Sequence, residues 1–295
     1  MPRNRSVFFV PPSACVVRHS SLSGLAVALA VALAVALTAG SAAAQQTPKP
    51  FEPQVGQAGK DVVWVPSNDE VVEKMLDLAK VTPQDFVIDL GSGDGRNVIA
   101  AARRGARALG VEYNPQMVEL SRENAQKAGV ADRATFVEGD MYEADISRAT
   151  ALILFLLPVN LEKLTARFLD MKPGSRIVDN TYAIPGWEPD VTEQVEGECQ
   201  TWCTALMWIV PARVHGTWRL PDGEIEFDQT FQMVTGTIKT ASGSAQIEQG
   251  RLRGEEVAFI AGGSEYTGRV TGDTIQGQVK GPGGERAWSA TRAKS

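Results

Sequence analysis

The sequence predicts an α/β protein, a doubly wound parallel sheet followed by a small antiparallel all-β barrel or sandwich. Three observations carry this. Between residues 61 and 212 short apolar runs alternate with helix-periodic segments, the pattern of strand–helix–strand units. The turn after the first run, "VIDLGSGDGRN" at 87–97, gathers three glycines and two aspartates, at the carboxyl end of a strand where such sheets bind ligands. Beyond Val214 helical periodicity stops, and 14 of the 28 glycines lie between Gly216 and Gly284.

The first 44 residues belong to neither part. Arg3, Arg5 and Arg18 precede an unbroken apolar run, Leu25 to Leu37, and then "TAGSAAAQQ", in which Ala42 and Ala44 fit an A-x-A cleavage site. Thirteen apolar residues suit the core of a signal peptide better than a membrane span, which needs about twenty. The expectation is a signal peptide over 1–44 and an exported or periplasmic protein. The alternatives are an uncleaved membrane anchor, or a cytoplasmic protein whose start is assigned too far upstream.

The elements follow in order. Residues 45–60, rich in Pro, Gln and Gly, read as a flexible lead. Ser67 and Glu70 form a capping-box pattern ahead of Val71, Val72, Met75, Leu76 and Ala79, which recur at helical spacing. "FVIDL" (86–90) is a short buried strand, "RNVIAAARRGA" a helix and "ALGVE" (108–112) a second strand. Asn114 suits an N-cap, Pro115 the first helical position and Gly129 the helix end. "ATFVE" (134–138) and "ALILFLL" (151–157) are strands three and four, a helix covers 159–170, and "RIVDNTY" (176–182) is strand five. "TALMWIVPA" (204–212) closes this domain, 61–212, as a late antiparallel strand.

In the remaining domain, 213–295, Ile225, Phe227, Phe231 and Met233 alternate, and Val257 with Phe259 repeats the pattern. "PDG", "ASG", "AGG" and "GPGG" supply turns. "GTW" at 216–218 resembles the opening of the calycin barrels. The region reads as a structural or docking appendage.

Charge and cysteine usage narrow the chemistry. Without residues 1–44 the chain carries 26 basic and 35 acidic side chains, a net −9. Such a surface repels nucleic acid and anionic lipid, so no nucleic-acid partner is expected, and a membrane only through an uncleaved N-terminus. Only Cys199 and Cys203 remain, and in an exported chain that close pair predicts a local disulfide. No metal is expected: two thiols and the single remaining histidine, His215, do not readily complete a tetrahedral zinc site.

The glycine loop is acidic, and that decides its ligand. A dinucleotide fingerprint needs glycines at positions 1, 3 and 6, occupied here by Gly91, Gly93 and Arg96. Asp89 and Asp94 bracket the turn. At an effective dielectric near 20, like charges 5 Å apart repel by roughly 3 kcal/mol. The loop therefore rejects pyrophosphate and favours a cation. A ligand with an ammonium and a sulfonium but no phosphate fits, namely S-adenosyl-L-methionine.

"VIDLGSGDG" resembles motif I of the class I methyltransferases, which have a Rossmann-like sheet, and the likeness continues in order. "LGVEYNP" places Glu112 at the end of strand two, and "FVEGDMYEAD" places Asp140 after strand three. The resemblance implies that Asp89, Gly91, Ser92, Gly93 and Asp94 surround the methionine portion and that Glu112 holds the ribose hydroxyls. It implies that Asp140 reads the adenine amino group and the Met141 N–H the ring. The stretch from "WVPSNDEVVEKM" to "VEYNP" is similar to the lysine methyltransferases acting on the c-ring protein of ATP synthase and on the adenine-nucleotide translocase. In that family V-P-x-x-x-E folds over the cofactor, which makes Val65, Pro66 and Glu70 candidates. The likeness covers about 61–212.

Strand four ends in "LFLLPVN", not the D/N-P-P-Y of amino methyltransferases acting on adenine or glutamine. Strand five offers Asp179 and Tyr182 as catalytic candidates that would bind or deprotonate an amine. Trp187 is a candidate channel lining or loop anchor. The expected activity is methyl transfer to an amine, with protein lysine first. The alternatives are a small-molecule acceptor, or an exported protein that binds a nucleoside without turnover.

Overall fold

The computed structural model describes residues 51–197, 199–241 and 243–294. The expected signal segment, 1–44, and residues 45–50 of the expected lead lie outside the described residues.

The alternation of apolar runs and helices builds a seven-stranded sheet. Its elements are α1 (Asp69–Leu78), β1 (Phe86–Leu90), α2 (Arg96–Arg103), β2 (Arg107–Glu112), α3 (Pro115–Lys127), β3 (Ala134–Glu138), β4 (Ala151–Leu154), α4 (Pro158–Leu169), β5 (Arg176–Asn180), β6 (Val191–Gln194) and β7 (Thr204–Ile209). The strand order is β3-β2-β1-β4-β5-β7-β6. β1 to β5 run parallel, β7 is antiparallel to β5, and β6 is antiparallel to β7. Chain order reverses between β1 and β4, and the crevice at that switch point is where such sheets take ligands.

Successive strand residues point to opposite faces, and the sequence uses both. Val87, Ile153 and Val178 pack under α1, α2 and α3 with Met75, Val98 and Val118. Ile88, Leu152, Leu154 and Ile177 face α4 with Leu164 and Phe168. Two covered faces explain why β1, β4 and β5 read as continuous apolar runs. β6, "VTEQ", has neither an apolar run nor full burial, and sequence periodicity did not reveal it.

Three boundaries differ from expectation for local reasons. α1 is capped by Asn68, whose Oδ1 accepts from the Glu70 N–H at 2.8 Å. Ser67 instead turns inward, and its Oγ accepts from Asn180 Nδ2 at 3.2 Å, so the Ser67–Glu70 capping box does not form. β4 stops at Leu154, and the Leu156 N–H then donates to Asp179 Oδ2 at 3.0 Å. β5 stops at Asn180 because Thr181 adopts φ +73, a region that β-branched residues rarely visit.

Residues 51–60 are not a free lead. The Gly56 N–H donates to Trp64 O at 2.8 Å, the Trp64 N–H returns to Gln57 O at 2.9 Å, and Ala58 bridges Val63. This tight hairpin pairs its own backbone groups and holds the segment against the sheet's carboxyl edge.

The C-terminal region is a closed barrel. β8 (Gly216–Leu220), β9 (Gly223–Thr230), β10 (Met233–Thr240), β11 (Gly243–Arg253), β12 (Glu256–Ala261), β13 (Ser264–Thr271), β14 (Thr274–Gly281) and β15 (Gly284–Arg292) follow one another, and β15 pairs back onto β8. Full closure removes the exposed edges that an open sheet would present. Its interior is filled by Trp218, Ile225, Phe227, Leu252 and Phe259. It is fastened to the first domain through Trp187, whose ring stacks on Phe231 with centroids 5.1 Å apart. Gln232 Nε2 donates to Glu188 O at 2.8 Å, and Arg251 pairs with Asp190 at 2.7 Å. Trp187 is thus the loop anchor. Cys199 and Cys203 form a disulfide between β6 and β7. Among the described residues no helix is long and apolar enough to cross a membrane.

Candidate active site

The crevice at the switch point is a cleft with about 880 Å³ of empty space, its open mouth included, enough for a nucleoside with an amino-acid arm. Its floor is the turn from β1 into α2. Gly91, Gly93 and Gly95 have φ of +80, +54 and +85, conformations open to glycine without strain. At Gly93 glycine is required twice, because an added Cβ would lie 2.6 Å from Trp64 Nε1.

Glu112, the last residue of β2, ties this floor together. Its Oε2 accepts from the Gly93 N–H and its Oε1 from the Asn114 N–H, both at 2.9 Å. Each oxygen keeps a second lone pair for a ligand hydroxyl. Asp89 lies deeper, and Asn97 Nδ2 donates to its Oδ2 at 3.1 Å. Burial pushes the Asp89 carboxyl up to about 8, with Glu112 and Asp94 adding to the rise and the Asn97 amide opposing it. Asp94 pairs with Arg96 at 2.6 Å, and Arg96 also donates to Ser67 O, which fixes the V-P-S stretch on the glycine loop.

At the other end of the cleft Asp140 binds the ammonium of Lys60 and accepts from the Tyr142 N–H at 2.9 Å. The hydrogen bond from Lys60 holds the Asp140 carboxyl below its ordinary value, and the same bond raises the Lys60 ammonium. Lys60 also stands 5.2 Å from the Tyr113 ring centroid. The hairpin therefore closes over the cleft through an ion pair.

The structure brings together Val65, Pro66, Asp89, Gly91, Ser92, Gly93, Asp94, Glu112, Asp140 and Met141, all of which line the cleft. Glu70 does not join them; it is exposed on α1. Asp179 does not line the cleft either. It is fully buried, its Oδ2 accepts from Leu156 N and its Oδ1 from Tyr182 N at 3.3 Å, and burial raises its carboxyl well above the ordinary value. The expectation of an amine-binding carboxylate there gives way to a backbone clamp shaping the ends of β4 and β5. Tyr182 lies past the end of β5 and stacks on Phe155, a lining residue, with centroids 6.1 Å apart.

Sequence reasoning missed Trp64, Lys60, Asn97 and Phe155. Phe155 belongs to the "LFLLPVN" that ends strand four, and Asn97 closes the glycine loop, so both were within reach of motif reading. Trp64 and Lys60 lie in or beside a segment whose composition points to a flexible lead.

S-adenosylmethionine fits these residues. Lys60 and Arg96 are consumed by Asp140 and Asp94, so among the described residues lining the cleft no free cation remains to hold a phosphate. Ser92 Oγ is buried on the floor with no hydrogen-bond partner among the described residues, and a Cβ on Gly91 would meet only Leu156, at 3.8 Å. Room at Gly91, and a Glu112 carboxylate that no cation pairs among the described residues, suit a cationic ligand bearing hydroxyls.

Comparison with known proteins agrees. The ANTKMT methyltransferase domain matches residues 89–191. A protein-lysine N-methyltransferase of Saccharolobus islandicus is 41% identical over 138 residues, covering 46% of this chain and 86% of that protein. The adenine nucleotide translocase lysine N-methyltransferase of Mus musculus is 34% identical over 143 residues, covering 48% of this chain and 62% of the relative's length. An RNA methyltransferase from Salinibacter ruber, solved with S-adenosyl-L-homocysteine, is 44% identical, with 51% of this chain and 96% of that chain covered and a TM-score of 0.48. With a carboxylate-rimmed glycine loop in place and 86% of the archaeal relative aligned, this chain belongs to the family of S-adenosylmethionine-dependent methyltransferases that contains the ANTKMT methyltransferase domain.

Proposed function

We propose that this methyltransferase modifies an amine, the side chain of a protein lysine, and that it does so as an exported protein. The observation that carries the acceptor is the 41% identity across most of an archaeal relative named for protein lysine. Two features of the chain support it. The end of β4 reads "LFLLPVN" and lacks the D/N-P-P-Y arrangement that grips planar amides and adenine. The net −9 without residues 1–44 attracts basic partners and repels polyanions.

When bound, the cofactor supplies an electrophilic sulfonium methyl. The chain's own part is to hold and orient. Glu112 and the Gly93 N–H fix the floor, Asp140 and Lys60 clasp the hairpin, and Trp64 covers Gly93 so that water is kept from the reacting centre. With Asp179 sealed behind Leu156 and Tyr182, it is not free to deprotonate an ammonium beside Phe155. The acceptor lysine must then arrive neutral, and the rate should climb as pH rises from 6 to 9.

The test is labelled-methyl transfer into a lysate of the source cell, followed by hydrolysis. Label recovered as methyl-lysine supports the reading; label confined to small molecules or RNA refutes it. Export is supported by the Leu25–Leu37 run with its A-x-A site and by the Cys199–Cys203 bridge, since disulfides persist in oxidising compartments. Mass spectrometry of native protein alkylated without reductant checks it: two alkylated thiols would reject an oxidising location.

A further inference from the structure

Three aromatic rings from three chain segments meet at the mouth of the cleft. Phe155, just after β4, lines the cleft itself. Tyr182, after β5, stacks against it, with the ring planes 15° apart. Trp202 meets the same Phe155 edge-on, with centroids 5.8 Å apart and planes at 61°. Trp202 lies on the short loop that the Cys199–Cys203 disulfide closes, and it lies outside the stretch matched by the family domain.

Trp202 is placed against its surroundings in two respects. It is 41% exposed, whereas tryptophan is highly buried on average. Its backbone has φ +57, a conformation uncommon for a non-glycine residue. Neighbouring Thr181 is also left-handed, at φ +73, and its N–H donates to Thr204 O at 2.7 Å. Residues held so cluster at ligand clamps, where surrounding bonds over-determine them. The determining bonds are the disulfide and the Val195 N–H to Cys203 O contact at 2.7 Å.

Beside these rings a second depression runs along Asn180, Thr201 and Trp202, and it shares Val65, Pro66, Ser67 and Arg96, whose charge is paired with Asp94, with the cofactor cleft. Trp202 lines this depression, and its ring meets Phe155, which lines the cofactor cleft. We infer that Trp202, held by the Cys199–Cys203 loop, forms with Tyr182 and Phe155 the wall of the acceptor site, which takes an alkylamine stem and its amino or methylammonium head. Aromatic faces attract the ammonium and cover the apolar stem. The apolar stem is covered in either protonation state, so the neutral nucleophile is held as well. Trp202 is a specificity-determining residue and the disulfide a positioning one. This deepens the amine-acceptor reading and rests on it.

The test uses the full chain, labelled S-adenosylmethionine at saturation and poly-L-lysine as the acceptor probe. Trp202→Ala should raise KM for poly-L-lysine at least tenfold, while kcat changes less than threefold and S-adenosylhomocysteine affinity less than twofold. Trp202→Phe should recover KM to within threefold of the native protein. The Cys199→Ser/Cys203→Ser double variant, which keeps the ring but frees its loop, should move KM in the same direction. An unmoved KM in Trp202→Ala, or a parallel loss of cofactor affinity, overturns the inference. If the native protein leaves poly-L-lysine unlabelled but labels another molecule in lysate, the lysine reading fails by itself when that label is not recovered as methyl-lysine. The Trp202→Ala comparison is then made on that acceptor, where undiminished labelling overturns the wall. A native protein that labels nothing overturns both.

Discussion

The Asn97 side-chain amide donates to Asp89 Oδ2 across 3.1 Å, from the first turn of α2 to the carboxyl end of β1. Among the described residues this is the side-chain donor that meets the Asp89 carboxyl, and it does not outweigh burial, which lifts that group to about 8. Asp89 is therefore mostly protonated in the free protein near pH 7. A cationic ligand lowers its value, so binding releases a proton below about pH 8. Affinity for S-adenosylmethionine should rise with pH toward 8 and level off above it. Calorimetry at pH 7 in buffers of different ionisation enthalpy should record the released proton, and Asp89→Asn should remove it. The sign for folding is opposite. A carboxyl raised above its ordinary 3.8 holds its proton better when folded, so unliganded stability should fall as pH rises from about 4 to about 8.

Glu112 should dominate cofactor affinity. Its two oxygens already order the Gly93 and Asn114 N–H groups, and two further charge-assisted bonds to a diol would add roughly 2–4 kcal/mol. Glu112→Ala should weaken S-adenosylhomocysteine binding about 30-fold or more. Titration with an unchanged circular dichroism spectrum decides it; a loss under about threefold would remove Glu112 from the ribose role.

How far the sequence revealed this site depended on how local each contact is. The carboxylates at the strand ends and the glycines of the first turn are set by position within a strand–turn–helix unit, so Gly91, Gly93, Glu112 and Asp140 were legible. Asp179 misled because its fate rests on Leu156, which is 23 residues away in sequence; strand position gave no sign that β4 would bend back to cap it. Lys60 misled for the same reason, since its partner Asp140 is 80 residues distant. The barrel was legible as a class from glycine turns and alternation, but its closure depends on β15 returning to β8, which no local pattern encodes.

The junction between the two domains should depend on Trp187. Its ring is 1% exposed, lies nearly parallel to that of Phe231, and its carbonyl accepts from Trp208 Nε1 at 2.8 Å. Truncating a buried tryptophan costs about 3–5 kcal/mol. Trp187→Ala should lower the thermal midpoint and expose the barrel junction to proteolysis. Cofactor affinity should change less than about twofold, because the cleft is lined from residues 57–155, ahead of the barrel. Equal losses of stability and affinity would instead mean that the barrel supports the cleft.

The contact between Trp64 and Gly93 should govern closure of the hairpin. A methyl group on Gly93 would fall 2.6 Å from Trp64 Nε1 and 2.8 Å from its Cδ1, so the indole must leave or the loop must move. Gly93→Ala also places a Cβ at φ +54, which costs about 1–2 kcal/mol on its own. The two penalties separate in a double-mutant cycle. Trp64→Ala removes the clash but keeps the glycine, and it should weaken cofactor binding moderately by uncovering the loop. Gly93→Ala should do more damage than Trp64→Ala, in both thermal midpoint and affinity. In the double variant the steric part is gone, so adding Gly93→Ala to the Trp64→Ala background should cost only the backbone share. Full additivity would mean that the indole does not rest on Gly93 in solution and that the hairpin stands open until ligand arrives.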